Sequence, residues 1–322
     1  MHKAIIVIFI LLNSNLYLSH NIYLNMKKSI YQAVLLIIMI ATGLSGCKKP
    51  ETSNIGTNAS LFWKKDSIQI TEIISEKANQ YQTVGHHGPA VENDFFALRM
   101  YFNNSGAIDV YSKKNIGLEL EKGLWYPDSA MQVNGYGSDQ YKVGSTIGLG
   151  GIRLWDGENV IEPIATKGRI ARVFDEGPCS IMEMVALGVL YKKDSIDLLT
   201  RVSIFSGNRF ARVDGFALCD QPVQFVTGIN FHEGHDVFRA DGFVGTWGKH
   251  PEDVALKPAE LGAAIRYGED VIVQKNKTDK QVLLISKPLK QIRSYITTAS
   301  SKEQNINTLQ AFKKLVESHN MH

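Results

Sequence analysis

The sequence predicts a mainly β protein, an antiparallel β-sandwich with one helix at its C-terminus. From residue 61 onward the dominant hydrophobic period is two residues, as in strands with one buried face. Turn-forming clusters such as Lys192-Lys193-Asp194 separate the β-rich runs, and a convincing helical period occurs in one stretch near the C-terminus. The 276 residues from Cys47 onward are enough for one large domain with a sizeable core.

Eight stretches have the composition and length of strands. Each is rich in β-branched and aromatic residues, and several are bounded by polar or glycine-containing turns. They cover residues 67–74, 96–101, 181–191, 196–205, 210–219, 223–231, 271–274 and 282–286. This spacing favours antiparallel hairpins packed into a sandwich.

The C-terminal helix is predicted from a capping signal and an apolar stripe. Ser301 and Gln304 have the spacing of a capping box, which places the start of the helix at Ser301. An apolar side chain then recurs every three residues, at Ile306, Leu309, Phe312 and Leu315. We expect this helix to pack on the outside of the sheets.

The net charge of +3 belongs to the N-terminal leader alone. Lys3, Lys27 and Lys28 are the charged residues of the first 46 positions, and no acidic residue precedes Glu51. The remaining chain has 32 basic and 32 acidic residues. The isoelectric point of about 8.5 is therefore no sign of a nucleic-acid-binding surface.

The leader has the order of a bacterial lipoprotein signal. A basic start at Met26-Lys27-Lys28 precedes an apolar run that ends in Leu44-Ser45-Gly46-Cys47. This end resembles a lipobox, in which Cys47 is acylated and becomes the mature N-terminus. A plain membrane anchor is the alternative, but neither apolar run of the leader reaches the roughly 18 residues that a spanning helix needs.

These signals predict three parts of the chain. Residues 1–46 form the leader, 47–60 a lipoprotein tether, and 61–322 a single β-sandwich catalytic domain. We expect a protein that is lipid-anchored to the outer membrane, in the periplasm or at the cell surface. Met1 and Met26 both remain candidates for the true start.

Two cysteines remain in the predicted domain, Cys179 and Cys219. An oxidising compartment permits a disulfide between them, and two separate buried thiols are an equally good interpretation. Neither cysteine has a CxxC neighbour, so the sequence does not support a zinc–thiolate site.

The densest polar stretch begins at His86-His87. Either imidazole could act as a general base near neutral pH, and Arg99 could hold a carboxylate with its planar guanidinium. The alternative is a polar turn before a strand, in which Arg99 pairs with Asp94 or Glu92. The sequence leaves both interpretations open.

A glycine-rich stretch over residues 135–155 is the second candidate region. It contains no GxxxxGK[ST] pattern, so a nucleotide pocket is not indicated. Tyr136 and Lys142 are candidates for proton transfer or substrate contact, Arg153 is a further cation, and Trp155 could be a platform for a sugar ring. The alternative is a glycine-rich bulge region with its aromatic residues in the core.

The third region contains His232 and His235 near a predicted strand end. Their spacing could place two ligands on a metal ion, with His86 or His87 as the third. An edge turn with polar side chains is the favoured interpretation, so we predict no metal cofactor. His232 could still serve as a catalytic or substrate-binding residue.

Three stretches together resemble a known lipoprotein family of domains of unknown function, found in polysaccharide-utilisation clusters for uronate-containing glycans. The stretches are His86-His-Gly-Pro-Ala with the residues up to Tyr101, Asp109-Val-Tyr-Ser-Lys113, and Lys142-Val-Gly through Arg153-Leu-Trp155. Within that family the chain is similar to ulvan-oligosaccharide dehydratases. The resemblance implies a β-supersandwich like that of galactose mutarotase.

The resemblance also implies a reaction. Water would be eliminated from the uronic acid at the non-reducing end of an ulvan oligosaccharide, which leaves a 4,5-unsaturated end. The implied partner is a uronate-containing, sulfated oligosaccharide. A polysaccharide lyase and a non-catalytic glycan-binding lipoprotein remain the alternatives.

Elimination needs a base for the C5 proton and an acid for the 4-hydroxyl group. The predicted base is His87 or His86, and the predicted acid is His232 or Tyr136. These assignments come from residue chemistry, since any of the four side chains can exchange a proton.

The acidic sugar also needs cationic ligands, because its carboxylate opposes removal of the C5 proton. Arg99 and Arg153 are the predicted carboxylate ligands, Lys142 is expected to contact a sulfate or carboxylate group, and Trp155 is expected to contact the sugar.

Overall fold

A computed structural model describes residues 56–251, 255 and 257–319. These residues belong to the second of two compact units, which spans Pro50–His322. No helix within the described ranges is both long enough and apolar enough to cross a membrane. The predicted leader and the acylation site at Cys47 lie outside the described residues.

Nineteen strands make up most of the described chain. In chain order they are β1 (Thr57–Ser60), β2 (Glu72–Ser75), β3 (Ala90–Asn93), β4 (Phe96–Met100), β5 (Ile108–Ser112), β6 (Ser138–Asp139), β7 (Arg153–Trp155), β8 (Val160–Ile161), β9 (Arg169–Glu176), β10 (Cys179–Tyr191), β11 (Asp194–Phe205), β12 (Ala211–Leu218), β13 (Val223–Asn230), β14 (Asp236–Ala240), β15 (Phe243–Lys249), β16 (Glu260–Tyr267), β17 (Ile272–Lys277), β18 (Gln281–Leu289) and β19 (Gln291–Ser300). The described helices are α1 (Leu120–Gly123), α2 (Ser129–Val133) and α3 (Leu309–Ser318).

The strands form three antiparallel sheets. The first has the order β1-β3-β4-β5-β6, the second β14-β15-β16-β19-β12-β11-β10-β9-β2, and the third β17-β18-β13-β7-β8. Apolar residues from all three sheets meet in one large core, which includes Leu98 of the first, Leu198 of the second and Phe225 of the third. This arrangement confirms the predicted mainly β, antiparallel fold class.

The first sheet has one apolar and one polar face, both of them buried. Leu98 and Val110 are cross-strand partners that face the main core. The neighbouring pair, Arg99 and Asp109, points to the opposite face because side chains alternate along a strand. A buried polar face needs partners for its hydrogen-bonding groups. The segment 115–137, which contains α1 and α2, lies over this face and supplies such partners, and we call it the cover segment.

Glu92 holds this cover on the sheet. Its carboxylate accepts hydrogen bonds from the backbone nitrogens of Glu119 at 2.9 Å and Leu120 at 2.8 Å, and from Lys113 Nζ at 2.6 Å. Glu119 in turn accepts from the Tyr111 hydroxyl group, also at 2.8 Å. The start of α1 is thereby fixed to the sheet by buried, charge-assisted hydrogen bonds.

The C-terminal helix is confirmed, but its predicted start is wrong. Helix α3 begins at Leu309, and the Thr308 side chain caps it by accepting a hydrogen bond from the Ala311 nitrogen. Ser301 lies in a turn instead, where its hydroxyl oxygen accepts from the Glu260 nitrogen. The apolar side of the helix buries Phe312, which packs near Trp247 of β15.

Two further boundaries differ from the predicted ones. The stretch 47–60, predicted as a tether, ends in a strand, because Thr57–Ser60 pairs with Ala90–Asn93. The predicted strand at 67–74 is shorter and later, at Glu72–Ser75. In both places local composition misleads, since pairing with a distant strand decides the conformation.

The cysteines carry thiols in this structure and are not joined as a disulfide. Cys179 is buried at the start of β10, whereas Cys219 lies half-buried just after β12. Of the two interpretations left open by the sequence, the structure favours separate thiols.

Candidate functional site

A strained turn carries the adjacent histidines. Gly85–His87 forms one turn of 3-10 helix, and both His86 and His87 have positive φ angles, +52° and +61°. Non-glycine residues seldom adopt this conformation, and each costs on the order of 1–3 kcal/mol. Gly88 follows because a Cβ atom there would lie 1.8 Å from the Met100 carbonyl oxygen. The turn is thus pressed against the end of β4.

His86 is a buried structural residue. Its Nε2 atom lies 3.0 Å from the Ser60 hydroxyl oxygen, and that hydroxyl group donates its hydrogen to Gln69 Oε1. His86 Nε2 must therefore be the donor to Ser60, which fixes the tautomer. Burial, with the charges of Arg99 and other neighbours, lowers the pKa of His86 to about 3. Since only 4% of the residue is exposed, it is poorly placed to act as the base.

His87 is the better placed of the two histidines. Its Nδ1 atom lies 2.6 Å from the Tyr81 carbonyl oxygen, which can only accept, so Nδ1 carries the hydrogen. The lone pair of the neutral ring is therefore on Nε2. The imidazole stacks on the Tyr81 ring with the centroids 4.0 Å apart, and Lys64 Nζ lies 3.4 Å from Nδ1. Both Nζ and Nδ1 carry hydrogens, so this contact is not a hydrogen bond, and the positive charge of Lys64 disfavours a second proton on the ring.

The electrostatics of the site keep His87 neutral. Partial burial lowers the pKa of His87 to about 4, and the nearby cations Arg99 and Lys64 act in the same direction. The hydrogen bond to Tyr81 opposes this shift without cancelling it. At pH 7 the ring is thus an unprotonated base with a fixed tautomer.

Arg99 is the centre of a buried network. Its guanidinium group donates to Asp109 Oδ2 at 2.6 and 2.9 Å, to Asp139 Oδ2 at 2.7 Å and to the Tyr126 oxygen at 2.8 Å. Its Cζ atom lies over the Trp125 ring, 4.5 Å from the ring centroid. Because Arg99 already binds two carboxylates of its own chain and is 1% exposed, it has no room for the predicted substrate carboxylate.

The pairing partners suggested for Arg99 by the sequence alternative also differ in the structure. Glu92 binds Lys113 instead. Arg99 binds Asp109, a cross-strand neighbour, and Asp139, which is contributed by β6.

Two tyrosines bring the network to the surface. The Tyr101 hydroxyl group donates to Asp109 Oδ2 at 2.8 Å, so its hydrogen is used inside the network. The Tyr126 oxygen instead accepts from Arg99, which leaves its own hydrogen for another partner. Burial raises the pKa of Tyr126 to about 12, so the phenol stays protonated, although 45% of the residue is exposed.

These side chains form one surface, the His87 patch, which we define as Lys64, Tyr81, His87, Tyr101 and Tyr126. The rings of His87 and Tyr126 are 6.0 Å apart and nearly perpendicular, at 73°. The patch therefore presents a neutral base, a protonated phenol and an ammonium group side by side. Such a set can remove one proton and deliver another on the same substrate.

His232 lies in a different group of residues, the three-histidine cluster of His232, His235 and His250. Their ring centroids are 4.8 to 5.5 Å apart. His250 Nδ1 accepts a hydrogen bond from the Lys142 nitrogen, so in the neutral ring Nε2 carries the hydrogen. A metal ion bound at His250 Nε2 would require the tautomer with its hydrogen on Nδ1, which could not accept this hydrogen bond. Within the described ranges, no group of three or more His, Cys, Asp or Glu side chains is arranged to hold a metal ion.

Lys142 belongs to this cluster through its backbone. Its carbonyl oxygen lies 2.9 Å from His232 Nε2 and accepts from Asn230 Nδ2 at 2.8 Å, while its side chain is exposed. The predicted third ligand, His86 or His87, lies on the turn before β3 and not in this cluster. The third histidine is His250, which the sequence does not predict because it has no motif spacing to the other two.

Arg153 and Trp155 lie on β7 of the third sheet. Arg153 is buried, donates to the Thr146 carbonyl oxygen at 2.9 Å and pairs with Glu162 at 3.2 Å. Trp155 packs with apolar residues of the same sheet, among them Val226. Both residues have local structural partners, and no contact joins either of them to the described side chains of the His87 patch.

Tyr136 lies on the segment that covers the first sheet. It lines a cleft of about 490 Å³ together with residues at the ends of β5 and β19. The predicted site residues are therefore divided among four places, of which the His87 patch alone combines a neutral base with a nearby acid.

Lys64, Tyr81 and Tyr126 of this patch are not predicted from the sequence. A weak signal was present for Tyr126, because Trp125-Tyr126 is an aromatic pair beside a proline in a stretch with no strand period. Lys64 and Tyr81 had no comparable signal, since only the three-dimensional fold brings them to His87.

Fold and site together define a β-sandwich protein whose exposed patch pairs a neutral imidazole with a phenol above a buried arginine network. The chain belongs to the family described as Domain of unknown function (DUF4861), whose model matches residues 50–321. No curated protein sequence matches the chain.

Three solved structures show weak similarity to this chain. A putative aldose 1-epimerase from Klebsiella pneumoniae is 10% identical, with a TM-score of 0.38 over 83% of this chain and 97% of that one. A heparan sulfate lyase from Pedobacter heparinus is 11% identical, with 0.35 over 67% and 34%. A 4-alpha-glucanotransferase from Thermococcus litoralis is 10% identical, with 0.32 over 66% and 37%. The chain thus spans about a third of the latter two proteins.

Proposed function

We propose that the protein is a hydro-lyase that removes water from the non-reducing-end uronic acid of an ulvan-type oligosaccharide. The observation that carries the proposal is His87, a neutral imidazole with its Nε2 lone pair unprotonated, beside the phenol of Tyr126 and the amine of Lys64. The resemblance of the motifs around this turn to ulvan-oligosaccharide dehydratases supports the same reaction. We also propose that the chain is lipid-anchored at Cys47, on the periplasmic side or the cell surface.

The first task is removal of the C5 proton. In the proposed reaction His87 Nε2 takes this proton, and the electrons of the broken C–H bond form the C4–C5 double bond. The uronate carboxylate opposes this step by its negative charge, and Lys64 would neutralise it. This assigns to Lys64 the role that the sequence suggested for Arg99.

The second task is protonation of the leaving group, because hydroxide leaves poorly. Tyr126 donates its hydrogen to the 4-hydroxyl group, which departs as water while Arg99 stabilises the phenolate by its charge. His87 then loses its extra proton and Tyr126 regains one through solvent, so the net change is loss of one water. The assignment places both proton transfers on side chains and requires no cofactor.

Mass spectrometry of a defined uronate-ended oligosaccharide tests the proposal. We expect loss of one water with unchanged chain length, and new ultraviolet absorbance from the double bond conjugated to the carboxylate. Chain cleavage with the same absorbance would show a polysaccharide lyase instead. Unchanged mass across a series of uronate-ended oligomers would defeat the enzymatic proposal.

The pH profile of kcat/KM tests the assignment of His87, because kcat/KM reports ionisation of the free enzyme. Since the free base is the active form, kcat/KM should stay flat at neutral pH and fall only as pH drops through about 4. Tyr126, with a pKa raised to about 12, should leave the alkaline side flat over the usual range. A midpoint near pH 6.5 would instead indicate an ordinary, exposed histidine.

Folding must be followed in the same acidic samples. His86 has a folded pKa of about 3, below the ordinary value of 6.5 that it has when unfolded. The unfolded state therefore binds more protons between these values, so the contribution of His86 to stability is complete above pH 6.5 and is lost as pH falls toward 3. Circular dichroism at each pH separates loss of the base from loss of the fold.

A further inference from the structure

The cleft next to Tyr136 is separate from the His87 patch. It lies where β5 and β19 end, with part of the cover segment as one wall, and has a volume of about 490 Å³. The described residues that line it are Ser112, Lys113, Lys114, Gln132, Val133, Tyr136, Gly137, Ser138, Gln140, Lys257, Ser300 and Lys302. Four of these residues are lysines and none is acidic.

One of the four lysines already binds other groups of the protein. Lys113 is buried, and its ammonium group binds Glu92 at 2.6 Å and the carbonyl oxygens of Asn93 and Gly117, each at 2.7 Å. The other amines belong to Lys114, Lys257 and Lys302. They give the cleft a local positive charge, although the chain from Cys47 onward has equal numbers of basic and acidic residues.

The three amines are close enough to influence one another. Burial lowers the pKa of Lys302, and repulsion from Lys114 and Lys257 lowers it further. Lys302 Nζ also donates to the Lys257 carbonyl oxygen, which ties the two loops that carry these lysines. Cations held together in this way destabilise one another until an anion enters between them.

The neutral lining is built from fixed groups. Gln140 Nε2 donates to the Ser112 hydroxyl oxygen at 2.9 Å, and its Oε1 accepts from the Ala259 nitrogen at 2.7 Å. The Tyr136 ring is half-buried against Gly123, where a Cβ atom would lie 2.8 Å from the ring. The cleft therefore combines an aromatic side with placed polar groups, as small-molecule sites commonly do.

The position of the cleft follows from alternation along β6. Asp139 points to Arg99, whereas its neighbours Ser138 and Gln140 line the cleft. One short strand thus separates the two sites. The volume falls in the range of small-molecule sites, roughly 300–1,000 Å³.

We propose that this cleft binds the sulfate or carboxylate groups of an anionic sugar, with Lys114, Lys257 and Lys302 as the ligands. The cleft would be a binding site only, and its role does not depend on the proposed elimination reaction. A sulfated sugar and the free inorganic ion both carry a sulfate group, so the experiment must compare the binding of the two.

Titration calorimetry at low salt tests the site with three probes: a sulfated oligosaccharide that lacks a terminal uronate, its desulfated form, and inorganic sulfate. The variant is Lys114→Gln with Lys302→Gln. We expect the sulfated oligosaccharide to bind this variant on the order of 100-fold more weakly than the unaltered protein, about tenfold for each lost charged contact. Lys193→Gln with Lys314→Gln removes the same charge from exposed positions elsewhere and should change affinity less than twofold.

The unaltered protein should also prefer the sulfated to the desulfated oligosaccharide. Equal affinity of the cleft variant and the unaltered protein would overturn the proposal, as would inorganic sulfate binding as tightly as the oligosaccharide. Circular dichroism monitors folding, and the single variant Lys114→Gln, at an exposed residue, replaces the double variant if that one does not fold. Because these probes cannot undergo the elimination, a failed dehydratase assay leaves this result unaffected.

Discussion

Asparagine in place of His87 is expected to lower kcat by about 10²- to 10⁴-fold, the usual contribution of a general base. Asparagine is chosen because it tolerates the left-handed backbone that His87 adopts, with φ at +61°. The strained turn should therefore survive, and the loss should appear in kcat more than in KM. The measurement is steady-state formation of the unsaturated product.

His232→Asn is the matched comparison for this variant. It removes an imidazole that, like His87, contacts a backbone carbonyl oxygen, here through Nε2 to that of Lys142, but that lies in the three-histidine cluster. We expect kcat within about twofold of the unaltered protein. A loss as large as that of His87→Asn would return the acid role to His232 and contradict the role proposed for Tyr126.

The sequence and the structure agree where a signal is local. Strand periodicity over residues 181–219 identifies the hairpins from β10 to β12, because every second residue there faces a core. The adjacent histidines were also recognisable, since two imidazoles within a polar turn are chemically unusual. In both cases the information lies within a few consecutive residues.

The sequence-based predictions and the structure disagree where residues distant in the chain decide the role of a side chain. Arg99 looked like a substrate ligand, because nothing in the sequence indicated that Asp139, contributed by β6, would bind it. Tyr126 joins the site by accepting a hydrogen bond from Arg99 across 27 positions. Likewise, the cap of α3 is Thr308, although Ser301 has the better spacing. The sequence shows which chemical groups are present, whereas the three-dimensional fold decides which of them meet.

Arg99→Met is expected to lower the free energy of unfolding by roughly 3–5 kcal/mol, as for a buried ion pair that loses one partner. Methionine retains much of the length and packing of the side chain, so lost volume is a small part of the cost. The main part comes from Asp109 and Asp139, which stay buried without their cation. Urea denaturation at pH 7 gives the measurement.

Arg172→Met supplies the control, because it removes the same kind of ion pair at a more exposed position. Arg172 pairs with Glu72, whose side chain is 40% exposed, so water replaces the lost partner. Such surface pairs contribute about 0–1 kcal/mol. Similar losses in the two variants would mean that the Arg99 network is no more important to stability than a surface pair.

The pH dependence of the Arg99→Met loss identifies its cause. Burial raises the pKa of Asp109, while Arg99 opposes that rise. Without Arg99 the folded pKa must rise further, so below it the carboxyl group takes up a proton and no longer carries a buried charge. The folded variant then binds more protons than its unfolded chain as pH falls, and its deficit in unfolding free energy should shrink toward acidic pH. A deficit that is constant with pH would point to lost packing, and the arginine would then act as a spacer between Trp125 and the tyrosines rather than as the counter-charge of the network.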